Sequence, residues 1–329
     1  MHKTKQNFKI QLFVTTLSII LFVLKFVAYY LTHSLSVLSD ALESIVNVLA
    51  GCIGLYSLYV ASKPKDKDHP YGHGKAEFIS AAFEGRLIIT AGLIIIVEAV
   101  ASFFSPNALH ALDNGLWILL VTALINLMAG LIAKKMGQKN NSLALMSSGK
   151  HLIIDSVTTF GVIIGISIVL LTQFNGLDSL IAILMGCWII YNGYKIIRAS
   201  LAGIMDEADM ALLGNVIAEI NDNRNKNWID LHNLRVIKYG PLLHIDCHLT
   251  MPWYLNVHEA HKIMDQFADL IKSKFGDSVE FFIHIDGCMP FSCDICTLES
   301  CEHRKTPFKK KLDWTMENVL ANIKHQLYY

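Results

Sequence analysis

Six apolar runs, each long enough to cross a bilayer, dominate the first two thirds of this 329-residue chain. They lie at about 10–32, 35–61, 78–104, 116–133, 143–172 and 177–198. A hydrocarbon core takes roughly 20 apolar residues per helix, and runs such as Leu116–Ala133 and Leu180–Ile190 carry no charge at all. Backbone groups in lipid must be satisfied within the segment, so helices are the expected form. Charged residues make up 17% of the chain, against about 25% in soluble proteins. The deficit is confined to the apolar part, and beyond residue 205 charge is ordinary. The expected organisation is a six-helix transmembrane domain at 1–205, a soluble domain at 206–287 and a Cys-rich, basic segment at 288–329. The first run is too long for a secretory leader, and no small-residue cleavage site follows it. The 28 Lys+Arg and 28 Asp+Glu balance, which argues against a nucleic-acid partner held by phosphate neutralisation.

Positive charge sets the orientation. Lys3, Lys5 and Lys9 precede the first run; Lys63, Lys65, Lys67 and Lys75 separate the second from the third. Lys134, Lys135, Lys139 and Lys150 lie between the fourth and fifth, and Lys195 and Arg198 close the sixth. The loops near His33, Asp113 and Asn175 hold no Lys or Arg. Every positive loop falls on one side, so both termini are expected in the cytoplasm, with the cell (inner) membrane as the location.

Ionisable groups at membrane depth point to function. The second run carries Asp40, Glu43 and Asn47, and the fifth carries His151 and Asp155. Glu43/Asn47 and His151/Asp155 are each four apart, hence on one helix face. Two such helices facing each other build a four-ligand cage of one imidazole and several oxygens, a donor set that suits Zn²⁺ and related divalent ions. Interhelical hydrogen bonding, or an interfacial position for His151 beside Lys150, is the plainer alternative. His151 is also the ligand whose unperturbed pKa, about 6.5, lies nearest neutrality, so it is the expected proton-coupling group.

Between the second and third runs, KPKDKDHPYGHGKAEF holds Asp68, His69 and His73 around a Pro-Tyr-Gly turn, a second expected metal site. The soluble domain reads as α-β-β-α-β, a small metallochaperone-like α+β fold. In its second strand His244, Asp246 and His248 alternate with Leu243, Ile245, Cys247 and Leu249, so one face is apolar and the other bears ligand chemistry. His232 in the first strand, His258, His261 and Asp265 in the helix, and His284 and Asp286 in the last strand add to that set. A metal site is expected there, with a solvated surface as the alternative. The end reads GCMPFSCDICTLESCEHR: Cys288, Cys293, Cys296 and Cys301 at C-x4-C-x2-C-x4-C, then His303. In a reducing compartment such a cluster suggests metal more than disulfides.

Together SVLSDALESIVN, DHPYGHGKAEF, the His151-x3-Asp155 pair and the LHNLRV…HIDCHL…HIDGC strands resemble the cation diffusion facilitator family of divalent-metal transporters, over about residues 8–290. The resemblance implies a homodimer in the bilayer whose protomers exchange a divalent cation for protons. It implies an intramembrane cage of Glu43, Asn47, His151 and Asp155, a loop site of Asp68, His69 and His73, and a cytoplasmic site of His232, His248, His261, His284 and Asp286. It also implies a charge interlock of Lys75 and Asp206 near the dimer hinge. Two features depart from the pattern. Asn47 offers a neutral oxygen where many zinc carriers have a carboxylate, so Zn²⁺ stands first with Fe²⁺, Mn²⁺, Co²⁺, Ni²⁺ or Cd²⁺ as alternatives. The cysteine segment lies outside the family pattern.

The expected function is export of a divalent metal from the cytosol in exchange for H⁺. The alternative is a metal-responsive membrane sensor or scaffold with little transport, which the neutral Asn47 favours. No HExxH or separate general base faces the cage, so an enzyme is not expected. No catalytic cofactor is expected either; the divalent metal is substrate and structural or regulatory ligand.

Overall fold

The computed structural model describes residues 2–32, 35–104, 113–172, 176–240, 242–276 and 279–327; some helical side chains, among them those of Asp40, Glu43 and Glu98, lie outside the described residues. The chain divides into two compact units, Met1–Met205 and Asp206–Tyr329.

The first unit consists, among the described residues, of six long helices: α1 (His2–Thr32), α2 (Leu35–Ala61), α3 (Ala76–Phe104), α4 (Asp113–Asn140), α5 (Leu143–Thr172) and α6 (Gly176–Ile204). Gln6–Val27, Ala76–Ala101 and Trp117–Asn140 are each long and apolar enough to span a membrane. The distribution of side chains is that of a protein dissolved in lipid. Phe13, Ile20, Leu93, Val97, Trp117 and Met128 are exposed, whereas Gln11, Glu77, Glu84, Asn126 and Ser148 are buried. Inside, Gln11 Nε2 donates to Ser148 Oγ (3.1 Å), and Ser148 Oγ donates to Glu84 (2.8 Å), which links α1, α5 and α3. Lys25 is also buried, so it does not snorkel to an interface.

Without a hydrophobic difference between helix and lipid, helices associate by close packing at small residues. Helix α3 meets α6 in this way. A Cβ on Gly85 would stand 3.0 Å from the Gly193 carbonyl, and one on Gly193 would stand 2.9 Å from the Gly85 carbonyl; Gly92 and Gly186 repeat the relation at 3.0 Å each. Helices α4 and α5 pair closely as well, as do α1 and α2, while α2 also packs on α5. That last contact joins the helix of Asn47 to the helix of His151 and Asp155.

The second unit runs α7 (Met210–Asp222), β1 (Asp230–Tyr239), β2 (Leu242–Met251), α8 (Val257–Phe275) and β3 (Val279–Gly287). The sheet order is β1-β2-β3, antiparallel then parallel. The parallel pair requires a crossover, which α8 supplies; Asn256 and Glu259 form a capping box at its start. Leu243, Ile245, Cys247 and Leu249 alternate into the core with Val216, Ile220 and Phe267. Burial pushes the Cys247 thiol up to about 12, so it packs as a small apolar group.

Residues 288–327 pack on the domain. A 3₁₀ turn (Pro290–Asp294) and the short α9 (Met316–Val319) follow β3, and Trp314 and Val319 are buried in the domain core. Arg224 stacks 3.7 Å from the centre of the Trp314 ring and donates to the Leu312 carbonyl (2.6 Å). An apolar residue every few positions after Leu312 gives this segment its own share of the core.

Candidate metal centres

In the membrane unit, Asn47 on α2 and His151 and Asp155 on α5 are all buried, at 6%, 8% and 2% exposure. Among the described residues, Asn47 Oδ1, His151 Nδ1 and Asp155 Oδ1 each lack a hydrogen-bond partner. A buried unpaired polar atom costs about 1–3 kcal/mol, so three on two packed helices need a compensating partner. A divalent cation between them would supply one. Glu43 lies one turn before Asn47 on α2, but its side chain is outside the described residues. The second oxygen of Asp155 accepts a 2.7 Å hydrogen bond from Asn126 Nδ2 on α4. Sequence reasoning missed Asn126. A lone Asn on an apolar helix gives little signal, and only the α4–α5 packing shows what it holds.

The loop between α2 and α3 does gather His69 and His73, whose ring centres lie 4.3 Å apart. The carboxylate that meets them is Asp66, not Asp68. Asp66 Oδ1 accepts from the His69 backbone N–H (2.7 Å) and lies 3.0 Å from His69 Nδ1, while Oδ2 lies 3.4 Å from His73 Nε2. The expected Asp68 is exposed and stands outside the group. The reason is turn geometry: an Asp side chain caps the backbone a few residues on, which brings Asp66 to His69 and leaves the adjacent residue out. The His69 backbone donor is the largest influence holding the Asp66 carboxyl below its usual range.

In the second unit, strand register assembles the site. His232 pairs with His248 across β1–β2, and His248 with His284 across β2–β3. Three imidazoles therefore stand in one row across the sheet, with ring centres 5.1 and 4.6 Å apart. Asp286 Oδ2 lies 3.1 Å from His248 Nδ1 and 3.5 Å from His232 Nε2; its Oδ1 is 3.8 Å from His284 Nε2. His232, His248 and Asp286 form a compact ligand group. Burial pushes the His232 pKa down against the pull of Asp230 and Asp286, which favours the neutral imidazole that a metal requires. Burial raises the Asp286 pKa, but hydrogen bonds from Lys324 and His248 outweigh it and hold the carboxyl low. His261 stands outside this group: it is 63% exposed and pairs with Asp265 one turn on (3.7 Å). Lys324 was not anticipated as a neighbour of Asp286, because 38 residues of chain separate them.

Lys75 precedes α3 and donates to the Ile204 carbonyl (3.4 Å) in the first unit. Asp206 opens the second unit with a left-handed backbone, φ 56°.

The family model for the cation efflux transmembrane domain matches residues 12–205, and that for the cation efflux protein cytoplasmic domain matches residues 215–288. The chain is 29% identical over 255 residues to an uncharacterised transporter, sll1263, of Synechocystis, covering 78% of this chain and 82% of that one. It is 26% identical over 282 residues to the cation-efflux pump FieF of Pectobacterium atrosepticum, covering 83% and 90%. It is 28% identical over 298 residues to metal tolerance protein C1 of Arabidopsis thaliana, covering 84% of this chain and 62% of that protein.

Proposed function

The chain belongs to the cation efflux family of membrane proteins, and from that premise we propose that it exports a divalent metal ion from the cytosol in exchange for protons. One observation carries the reading. Among the described residues, Asn47 Oδ1, His151 Nδ1 and Asp155 Oδ1 are buried polar atoms without a hydrogen-bond partner, on two helices that pack together. Glu43 completes the cage in this reading.

A metal ion binds the neutral imidazole, so its entry displaces a proton from His151, and protonation from the far side ejects the ion. Asn126 fixes Asp155 with one oxygen and leaves the other for the metal. Zn²⁺ is the leading substrate; the neutral Asn47 oxygen lowers the cage's negative charge and leaves room for Fe²⁺, Mn²⁺, Co²⁺, Ni²⁺ or Cd²⁺. In this reading both termini lie in the cytoplasm, which the Lys-bearing loops on one side support. Two copies associate as a homodimer through the cytoplasmic domain, whose His–Asp site binds metal and biases the transport equilibrium.

The test is flux of individual divalent ions into proteoliposomes with an imposed pH gradient. Zinc accumulation that rises with an acidic lumen and collapses with a protonophore is the expected result. Flux indifferent to the gradient would make the protein a uniporter. Absence of flux for every ion, with binding retained, would make it a metal-responsive sensor, the reading that Asn47 favours.

A further inference from the structure

We propose that Cys288, Cys293, Cys296 and Cys301 are the ligands of one tetrathiolate metal centre, separate from the efflux sites, that organises the end of the cytoplasmic domain. Their side chains line a single cavity of about 200 Å³, rimmed by Trp253 and His303. All four are free thiols, and they arrive from different places. Cys288 follows β3 and is held by its N–H to the Met251 carbonyl (2.8 Å), whereas Cys293 and Cys296 bracket the end of the 3₁₀ turn. Cys301 comes from the loop beyond.

Cys296 and Cys288 pack beside Ile229 and Ile295, whereas Cys293 faces a donor. The Lys305 backbone N–H donates to Cys293 Sγ (3.4 Å). A donor to sulfur is one way proteins support a thiolate ligand. Arg304 braces the loop from behind, donating to the carbonyls of Cys293 (2.9 Å), Cys296 (3.1 Å) and Leu298 (2.8 Å). Burial and the other nearby thiols push Cys288 and Cys296 up.

The sulfurs are set openly: no three of them lie within 4.8 Å of one another. Around a single zinc ion they would stand about 3.8 Å apart, given Zn–S bonds of about 2.3 Å. A mononuclear zinc centre therefore draws them inward, while an iron–sulfur cluster bridges a wider set. Thiolate coordination is common to both, and the experiment separates them.

Full-length protein is purified anaerobically in detergent, given a brief EDTA wash, and analysed for zinc, iron and acid-labile sulfide. Either one zinc per protomer, or iron with matching sulfide and a visible charge-transfer absorption, supports the centre; the first identifies a mononuclear and the second a polynuclear occupant. Cys293→Ser with Cys296→Ser is expected to lose that metal. Since the double variant risks misfolding, the unaltered chain is also alkylated natively and mapped by mass spectrometry. The four thiols are expected to be protected as a block and to become reactive together when the metal is displaced. A chain with no chelator-resistant metal, a variant that keeps the same metal, or four thiols that alkylate independently would overturn the proposal.

Discussion

The Lys324 ammonium lies 3.1 Å from Asp286 Oδ1, while the other oxygen of that carboxylate lies 3.1 Å from His248 Nδ1. The C-terminal segment thus brings its own cation to the carboxylate shared by the histidine row. Lys324 also donates to the Gly287 carbonyl (3.4 Å), which keeps it there. A bound metal has to compete with this ammonium for Asp286. Lys324→Met is expected to tighten zinc binding at the cytoplasmic site roughly two- to fivefold, the range of a partly exposed ion pair. Calorimetric titration of the full-length protein checks this. Unchanged or weaker affinity would leave Lys324 as an anchor of the tail and no more.

A second prediction concerns Asn126, which touches Asp155 from the neighbouring helix. Asn126→Ala leaves every proposed ligand in place but frees the carboxylate to rotate. Partners that orient a metal ligand typically contribute about 10- to 100-fold in affinity or activity, and a loss of that size in zinc flux is expected. Asn126→Gln should recover less than half of it, since the longer side chain misplaces the donor. Asp155→Ala should abolish flux outright. An Asn126→Ala carrier with normal flux would show that Asp155 is positioned by its own helix alone.

In the α2–α3 loop the two neighbouring aspartates should behave differently. Asp66→Ala removes the group that joins His69 and His73, and metal binding to the loop should fall at least tenfold. Asp68→Ala should leave that binding unchanged. Equilibrium dialysis of the two variants, with the cage disabled by Asp155→Ala in both, measures the difference. Equal losses would mean that both carboxylates reach the ion.

The docking of the C-terminal segment should depend on pH through His325. Its ring contacts Asp230 Oδ1 at 2.5 Å, and its backbone N–H donates to Asp230 Oδ2 at 2.9 Å. Burial pushes its pKa down, but the Asp230 carboxylate and the Asn318 carbonyl outweigh burial and raise it overall. A raised folded pKa stabilises docking fully below the unfolded value of about 6.5, and that stabilisation is lost as pH rises through the folded value. Hydrogen exchange of the 318–327 amides, corrected for intrinsic rates, should show protection falling as pH rises past neutrality. His325→Asn should flatten the profile. Protection that grows with pH would reverse the assignment.

Local periodicity carried most of the architecture. The long apolar runs dictate membrane helices because lipid satisfies no backbone group. The alternation along β2 dictates a sheet with one buried face, since successive strand residues point to opposite sides. The pairing of His151 with Asp155 is likewise written into helical spacing. Each of these depends on neighbours within a few residues, which is what a sequence displays.

Long-range register and turn closure decided the rest. Nothing in the spacing of His232, His248 and His284 says that they form one row; that follows from an antiparallel and a parallel pairing that meet at His248. Asp66 rather than Asp68 meets the loop histidines because a backbone turn closes over three residues. Asn126 reaches Asp155 and Lys324 reaches Asp286 only after separate segments pack together. Periodicity fixes which way a side chain faces on its own element. Which partner it meets there depends on how distant elements pack, and that information is spread over the whole chain.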